Sequence, residues 1–246
     1  PPLLFGQKGI VGRADGLALL LAELLKGTAV PWIRFLYGYP EEITDALLEV
    51  MADSRICPYL DIPFQHASPA VLRRMKRASS AARILRLLEK IRKLLPEAAI
   101  RTSLIVGFPG EGPDEFKRLQ EFVREARIDH LGVFTYCREE GTAAWALGDP
   151  VPEAEKERRR GILMEAQAAY SAENLRKFRG RTLDVLIEGP RPGRPGGWIG
   201  RTKFQAPEED GVVFVRAEGA RTWKSPLGRV KIISSGTYDL FGNIAS

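Results

Sequence analysis

The run Ile105-Val-Gly-Phe-Pro-Gly-Glu111 carries the clearest chemical signal in the chain. Residues 100–106 read as a buried strand, which breaks at Gly107, Pro109 and Gly110 before a helical pattern starts near Pro113. A strand that ends in a glycine-rich turn before a helix exposes backbone N–H groups at the carboxyl end of a sheet, where α/β folds hold anionic ligands. The same residues also suit a tight turn that binds nothing. On the strand, Arg101 and Ser103 share one face with Ile105. A charged Arg101 directed into a barrel interior demands a partner, either a ligand carboxylate or a buried acid. Gly107 and Gly110 allow close backbone approach, and Phe108 adds a flat apolar face beside them.

A second stretch, Pro58-Tyr-Leu-Asp-Ile-Pro-Phe-Gln-His-Ala-Ser-Pro69, puts Gln65 and His66 just past a short strand at 59–62 that Pro63 closes. His66 is either a structural hydrogen-bonding residue or a catalyst. Asp61 either orients Gln65 or His66 or forms a structural salt bridge. Gln7 ends a first strand whose tail is Leu3-Leu-Phe5. Cys57 stands at the start of a strand and reads as a buried structural thiol, whereas Cys137 follows a strand at the ligand-binding end.

These residues need a scaffold, and the chain alternates strand and helix over its first 136 positions. Strands are expected at 3–5, 32–36, 59–62, 100–106 and 131–136, with helices at 17–26, 41–52, from Pro69, 81–95 and 114–127. Ser68 is an expected N-cap for the helix that Pro69 opens. Alternation of this kind builds a parallel sheet with right-handed crossovers. Residues 150–177 read as one charged connecting helix. At Gly180 the texture changes to short strands, at 183–187, 198–201, 212–215 and 229–233, separated by Gly/Pro turns. That is an all-β module, a small barrel that closes its own edges. The expected domains are 1–149, a connector at 150–178, and a barrel at 179–246.

Bulk properties narrow the partners. The 246 residues are 44% hydrophobic and 28% charged, ordinary for a globular protein. No apolar run approaches a membrane span, and two cysteines give no disulfide framework, so a cytoplasmic protein is expected. The net charge is +6, and residues 179–246 hold 11 Lys/Arg against 7 Asp/Glu. A basic final module favours an anionic partner such as RNA, or is merely solvated.

The two stretches above, with Val71-Leu-Arg-Arg-Met-Lys-Arg77 and Phe134-Thr-Tyr-Cys-Arg-Glu-Glu-Gly-Thr142, resemble the radical S-adenosylmethionine (SAM) methylthiotransferases from about Gln7 onward. Gln65-His-Ala-Ser68, Glu139-Glu-Gly141 and Ala206-Pro-Glu-Glu-Asp-Gly211 lean to the RimO type, and the final module resembles that family's TRAM domain. The resemblance implies a partial parallel (β/α) radical SAM barrel, five of its six units present, followed by a small all-β TRAM barrel. It implies SAM bound by Gln7, Gln65, His66, Arg101, Ser103, Gly107, Phe108 and Gly110, with Phe108 flanking the adenine. It implies two 4Fe-4S clusters in the full-length family, one reducing SAM to a radical and one delivering a methylthio group to an aspartate of the small-subunit ribosomal protein numbered twelve. Ribosomal RNA is a further implied partner of the TRAM-like module.

The chain departs from the family at the cluster. The CxxxCxxC loop is absent, and Cys57 and Cys137 cannot supply three thiolates. The expectation is therefore a downstream fragment that is inactive alone. Its alternatives are a fragment of the tRNA-modifying MiaB type, or a non-catalytic TRAM-containing protein that binds RNA or ribosomes.

Overall fold

The structure, a computed structural model, describes residues 15–217 and 226–245. Gln7, the strand expected at 3–5, Arg221 and Lys224 lie outside the described residues. Two compact units divide between Ala166 and Gln167. The boundary falls inside one long helix, α6 (Glu153–Leu175), which runs through the expected connector.

The first unit contains α1 (Gly16–Gly27), α2 (Asp45–Val50), β1 (Tyr59–Asp61), α3 (Pro69–Arg74), α4 (Ala81–Leu94), β2 (Ala99–Val106), α5 (Pro113–Ala126) and β3 (His130–Thr135), followed by the start of α6. Its strands form a parallel sheet in the order β1-β2-β3. Asp61 pairs with Arg101, Ser103 with Gly132, and Ile105 with Phe134. On β2 the two faces differ. Ile100, Thr102, Leu104 and Val106 are fully buried, while Ser103 and Ile105 are half-buried on the other face. The buried stripes of α4 (Ile84, Leu88, Ile91) and α5 (Phe116, Leu119, Phe122, Val123) follow the helical period.

The expected strand at 32–36 is not regular. Ile33 makes one parallel bridge to Ile56, and Gly38 N–H reaches the Asp61 carbonyl at 2.8 Å. The segment thus runs beside β1 but bonds to it only near its ends, and Tyr37, at φ 63°, breaks the extended run. The helix expected over 41–52 also divides. A 3-10 turn at Pro40–Glu42 precedes α2, whose first turn is capped by Thr44 Oγ1 accepting from Leu47 N–H. Ser68 does not cap α3: its Oγ is buried without a partner, while its N–H donates to His66.

The second unit is a closed barrel of β4 (Thr182–Pro190), β5 (Gly197–Arg201), β6 (Val213–Arg216), β7 (Leu227–Ser235) and β8 (Leu240–Ile244), in the order β4-β5-β6-β8-β7. All neighbours are antiparallel except β6 and β8, which are parallel. The sequence reading missed β8, which pairs with both β6 and β7 and closes the barrel. Leu183, Val185, Val213, Val215, Val230, Ile232 and Leu240 fill the interior. They alternate with outward residues, as the period of two requires.

Candidate functional site at the carboxyl edge of the parallel sheet

The inner face of the first unit's sheet is layered. At its amino end Tyr59 is fully buried, with the His130 ring 5.9 Å from it and the Arg34 guanidinium 4.4 Å over it. Above lies the ion pair Arg101 Nη1 to Asp61 Oδ1, at 3.1 Å, with Arg101 only 7% exposed. Of the two partners expected for Arg101, the buried acid is the one present. The upper layer is open: Ser103 and Gly132 sit side by side, with Ile105 beside Phe134, and Phe134 is 54% exposed. A Cβ on Gly132 would come within 3.2 Å of the Phe134 ring, so glycine keeps a gap beside Ser103. Gln65 borders this layer. Its N–H donates to the Ser103 carbonyl and its carbonyl accepts from Ile105 N–H, with Gln65 at φ 69°. Half-buried Gln65 and Ser103 therefore meet at the carboxyl edge, next to exposed Phe134.

The other candidates lie deeper. His66 is fully buried, and both ring nitrogens are engaged. Ser68 N–H donates to Nδ1 at 2.9 Å, so the hydrogen bonds put the ring proton on Nε2, which meets Glu111 Oε2 at 2.9 Å. Glu111, in turn, accepts from Gly107 N–H at 3.1 Å and from Arg159 Nη1 at 2.5 Å. Burial pushes the Glu111 carboxyl up, but hydrogen bonds from His66, Arg159 and Gly107 outweigh it and hold the group below its ordinary range. Arg159 also bonds the Glu111 carbonyl and Glu155. Glu155 is held down to about 2 by hydrogen bonds from Arg158 and Arg159.

The glycine turn is filled by the protein itself. A Cβ on Gly107, at φ 76°, would meet Lys156 Cγ at 2.4 Å, and one on Gly110 would meet Arg74 Nε at 2.8 Å. Close approach at these two glycines accommodates Lys156 and Arg74. The Lys156 stem lies over the turn and its ammonium donates to the Tyr136 carbonyl, Asp149 and Glu153 at 2.7 to 3.1 Å. Phe108, 6% exposed, is packed with Val71 and Tyr136, its ring edge-on to Tyr136 at 5.0 Å. Sequence reasoning left out Glu111, Lys156 and Arg159. Glu111 ends the quoted motif, but its buried partners lie 45 and 48 positions away and leave no local signal.

The cysteines do not converge. Cys57 is buried before β1, while Cys137 is exposed after β3, at the opposite end of the sheet. Among the described residues no group of three His, Cys, Asp or Glu side chains is placed to hold a metal. The residues present therefore do not fit an iron–sulfur cluster. In the open layer, an amide, a hydroxyl and a glycine gap do fit a small polar ligand. No helix among the described residues is long and apolar enough to cross a membrane.

On the barrel, Phe214 and Phe241 of neighbouring strands stack at 5.4 Å, with the Arg191 guanidinium 4.0 Å over Phe214. In the acidic turn, Asp210 Oδ2 accepts from Ala206 N–H at 2.7 Å, so one of the three acids closes the turn.

Residues 12–123 match the model of the Radical SAM superfamily, and residues 180–245 match the TRAM domain. The ribosomal protein uS12 methylthiotransferase RimO of Koribacter versatilis (strain Ellin345) is 43% identical over 95% of this chain and 47% of its own length. The protein of the same name from Syntrophus aciditrophicus (strain SB) is 46% identical over 94% of this chain and 51% of its own. The chain thus spans about half the length of the curated relatives it matches. Among solved structures, coproporphyrinogen III oxidase (HemN) from Escherichia coli aligns with a TM-score of 0.47 at 20% identity, over 66% of this chain and 37% of that one.

Proposed function

From the premise that this chain joins a Radical SAM segment to a TRAM domain, we propose that it is the SAM-binding and partner-binding portion of a cytoplasmic ribosomal protein methylthiotransferase. The observation that carries this reading is identity of 43% and 46%, over nearly the whole chain, to two proteins named for that activity. The open layer at the carboxyl edge supports it, since parallel α/β folds bind their ligands there.

In this reading Gln65 and Ser103 provide polar contacts for SAM, and Gln7 is a further contact. Exposed Phe134 and half-buried Ile105 offer the apolar face that an adenine needs, a role the sequence reading gave to Phe108. Arg101, His66, Gly107 and Gly110 act beneath the ligand by fixing the strand ends and the turn. When bound, SAM supplies the activated sulfonium on which the family's chemistry depends. The chain's own residues bind and orient it. The second unit meets the substrate: its acidic turn at Glu208, Glu209 and Asp210 faces a basic ribosomal protein, and the Arg191–Phe214–Phe241 platform faces rRNA.

Calorimetry with SAM tests the first part. Weak binding is expected, reduced about tenfold by Ser103→Ala, the loss of one buried-site hydrogen bond of roughly 1.5 kcal/mol. Unchanged affinity in that variant would remove Ser103 from the site. Surface plasmon resonance with the purified ribosomal protein and with tRNA tests the second part. Tighter binding to the ribosomal protein is expected, with the triple change Glu208→Lys, Glu209→Lys and Asp210→Lys lowering chiefly the association rate. Tighter binding to tRNA, falling steeply with salt, would move the assignment to a tRNA-modifying enzyme.

A further inference from the structure

An open pocket of about 440 Å³ lies beside β1, lined by Tyr39, Pro40, Glu41, Pro63, Phe64 and the segment 76–79. Its chemistry differs from that of the open layer above Ser103. Lys76 and Arg77 line it, and Arg73 and Arg74 precede them on α3. Among the described residues none of these four cations makes an ion pair. The network around Glu111 and Lys156, by contrast, leaves each buried charge paired. The single acid on the pocket wall, Glu41, is exposed. Ser79 Oγ is buried without a hydrogen-bond partner.

The walls are aromatic and apolar. Tyr39 is 40% exposed with the Arg77 guanidinium 5.3 Å from its ring centre, and Tyr37 nearby is 59% exposed. Exposed aromatics are unfavourable on a free surface unless they stack on something. Lys76 is held at φ 55°, a left-handed conformation that L residues seldom adopt without a surrounding constraint. The pocket's volume falls in the range of small-ligand sites.

Unpaired cations, an unsatisfied hydroxyl and a stacking ring in one pocket answer the two parts of a nucleotide, its phosphate and its base. We propose that this pocket holds one nucleotide of a single-stranded RNA segment, so that the α/β unit carries an RNA contact of its own besides any made by the barrel. Lys76, Arg77 and Ser79 meet the phosphate, and Tyr39 with Arg77 stacks on the base. RNA is favoured over an acidic peptide because carboxylates need no aromatic platform, whereas every base has a face to stack. The inference does not depend on the methylthiotransferase assignment.

The test uses the full chain and a fluorescein-labelled seven-nucleotide single-stranded RNA, with anisotropy read between roughly 50 and 200 mM KCl. The double variant Lys76→Glu/Arg77→Glu is expected to weaken binding about tenfold or more and to flatten the salt slope by about one, as two lost phosphate contacts require. Tyr39→Ala is expected to weaken it about tenfold with the salt slope unchanged, since stacking is not electrostatic. The conservative Arg77→Lys keeps the charge, guards against misfolding, and should leave most of the slope. A 4-thiouridine version of the RNA should cross-link within 37–41 or 76–79. Cross-links confined to the barrel, or pocket variants with wild-type affinity and slope, would overturn the proposal. So would tighter binding to a poly-glutamate peptide lost in the same variants, which would make this an acidic-peptide site.

Discussion

The two units hold their shape by different means. In the α/β unit, charged side chains lie deep inside: Asp61, Arg101, Glu111, Lys156 and Arg159 are each at most 7% exposed apart from Lys156's acidic partners at the rim. The barrel interior is apolar, and its buried polar residues, Thr202 and Gln205, satisfy each other and the backbone of one turn. The difference follows from what each unit must position. A barrel is fixed by closure: once β8 pairs with β6 and β7 no edge remains, and packing does the rest. A parallel sheet has an open carboxyl edge whose turns are not held by the ladder. Here the turn after β2 is clamped by Glu111 from within and by Lys156 from above. Buried charge is poor at adding net stability but good at making one geometry the only satisfied one.

The contrast can be broken most sharply at Glu111. Glu111→Ala leaves the Arg159 guanidinium, the His66 ring N–H and Gly107 N–H without their acceptor. A loss of about 3–5 kcal/mol is expected in the α/β unit, the usual result of removing one partner of a buried ion pair. Urea unfolding followed through the Trp32 and Trp145 fluorescence should register it, and that through Trp198 in the barrel should not. Equal losses in both would mean the units do not differ as described.

Acid should separate the units in the same direction by a smaller margin. Glu111 has its folded pKa depressed below the ordinary value, so its contribution is fully present above the unfolded value near 4.5 and is lost as pH falls through the folded one. The α/β unit is therefore expected to lose stability below about pH 4.5 faster than the barrel. Glu111→Gln should flatten that dependence. An α/β unit with the same acid profile in wild type and Glu111→Gln would place the acid sensitivity elsewhere.

The smallest effect belongs to the barrel. Ile232 is fully buried, and Ile232→Val removes one methylene where the surroundings are apolar. A loss of about 0.5–1.5 kcal/mol is expected, readable by denaturant titration of Trp198 fluorescence, with no change in its pH dependence. A loss several-fold larger would show that barrel closure depends on tight packing at β7 more than on strand pairing.

Much of this was legible in the chain. The helical stripes of α4 and α5, the strand–turn–helix around Gly107, and the change of texture at Gly180 depend on neighbours in sequence, and the periods of 3.6 and 2 report them directly. The strand expected at 32–36 was over-read for a physical reason: its residues suit a strand, but Tyr37 turns left-handed and only two bonds form. β8 was missed because Leu240-Phe-Gly-Asn-Ile244 is short and interrupted by glycine, and gains its meaning from two partners it meets only in the barrel.

At the candidate site the division is sharper. Residue types and spacing determined that a glycine turn would stand at the carboxyl end of β2, with Ser103 on the face opposite the buried Leu104 and Gln65 just past β1. They could not decide what the glycines make room for, whether Arg101 faces a ligand or Asp61, or that His66 would be enclosed by Ser68 and Glu111. Those outcomes rest on side chains brought together from distant positions, Arg159 meeting Glu111 across 48 residues and Arg101 meeting Asp61 across 40. Local periodicity fixes which way a side chain points. Only the packed tertiary structure decides what it meets, because a buried charge takes whichever partner the fold delivers.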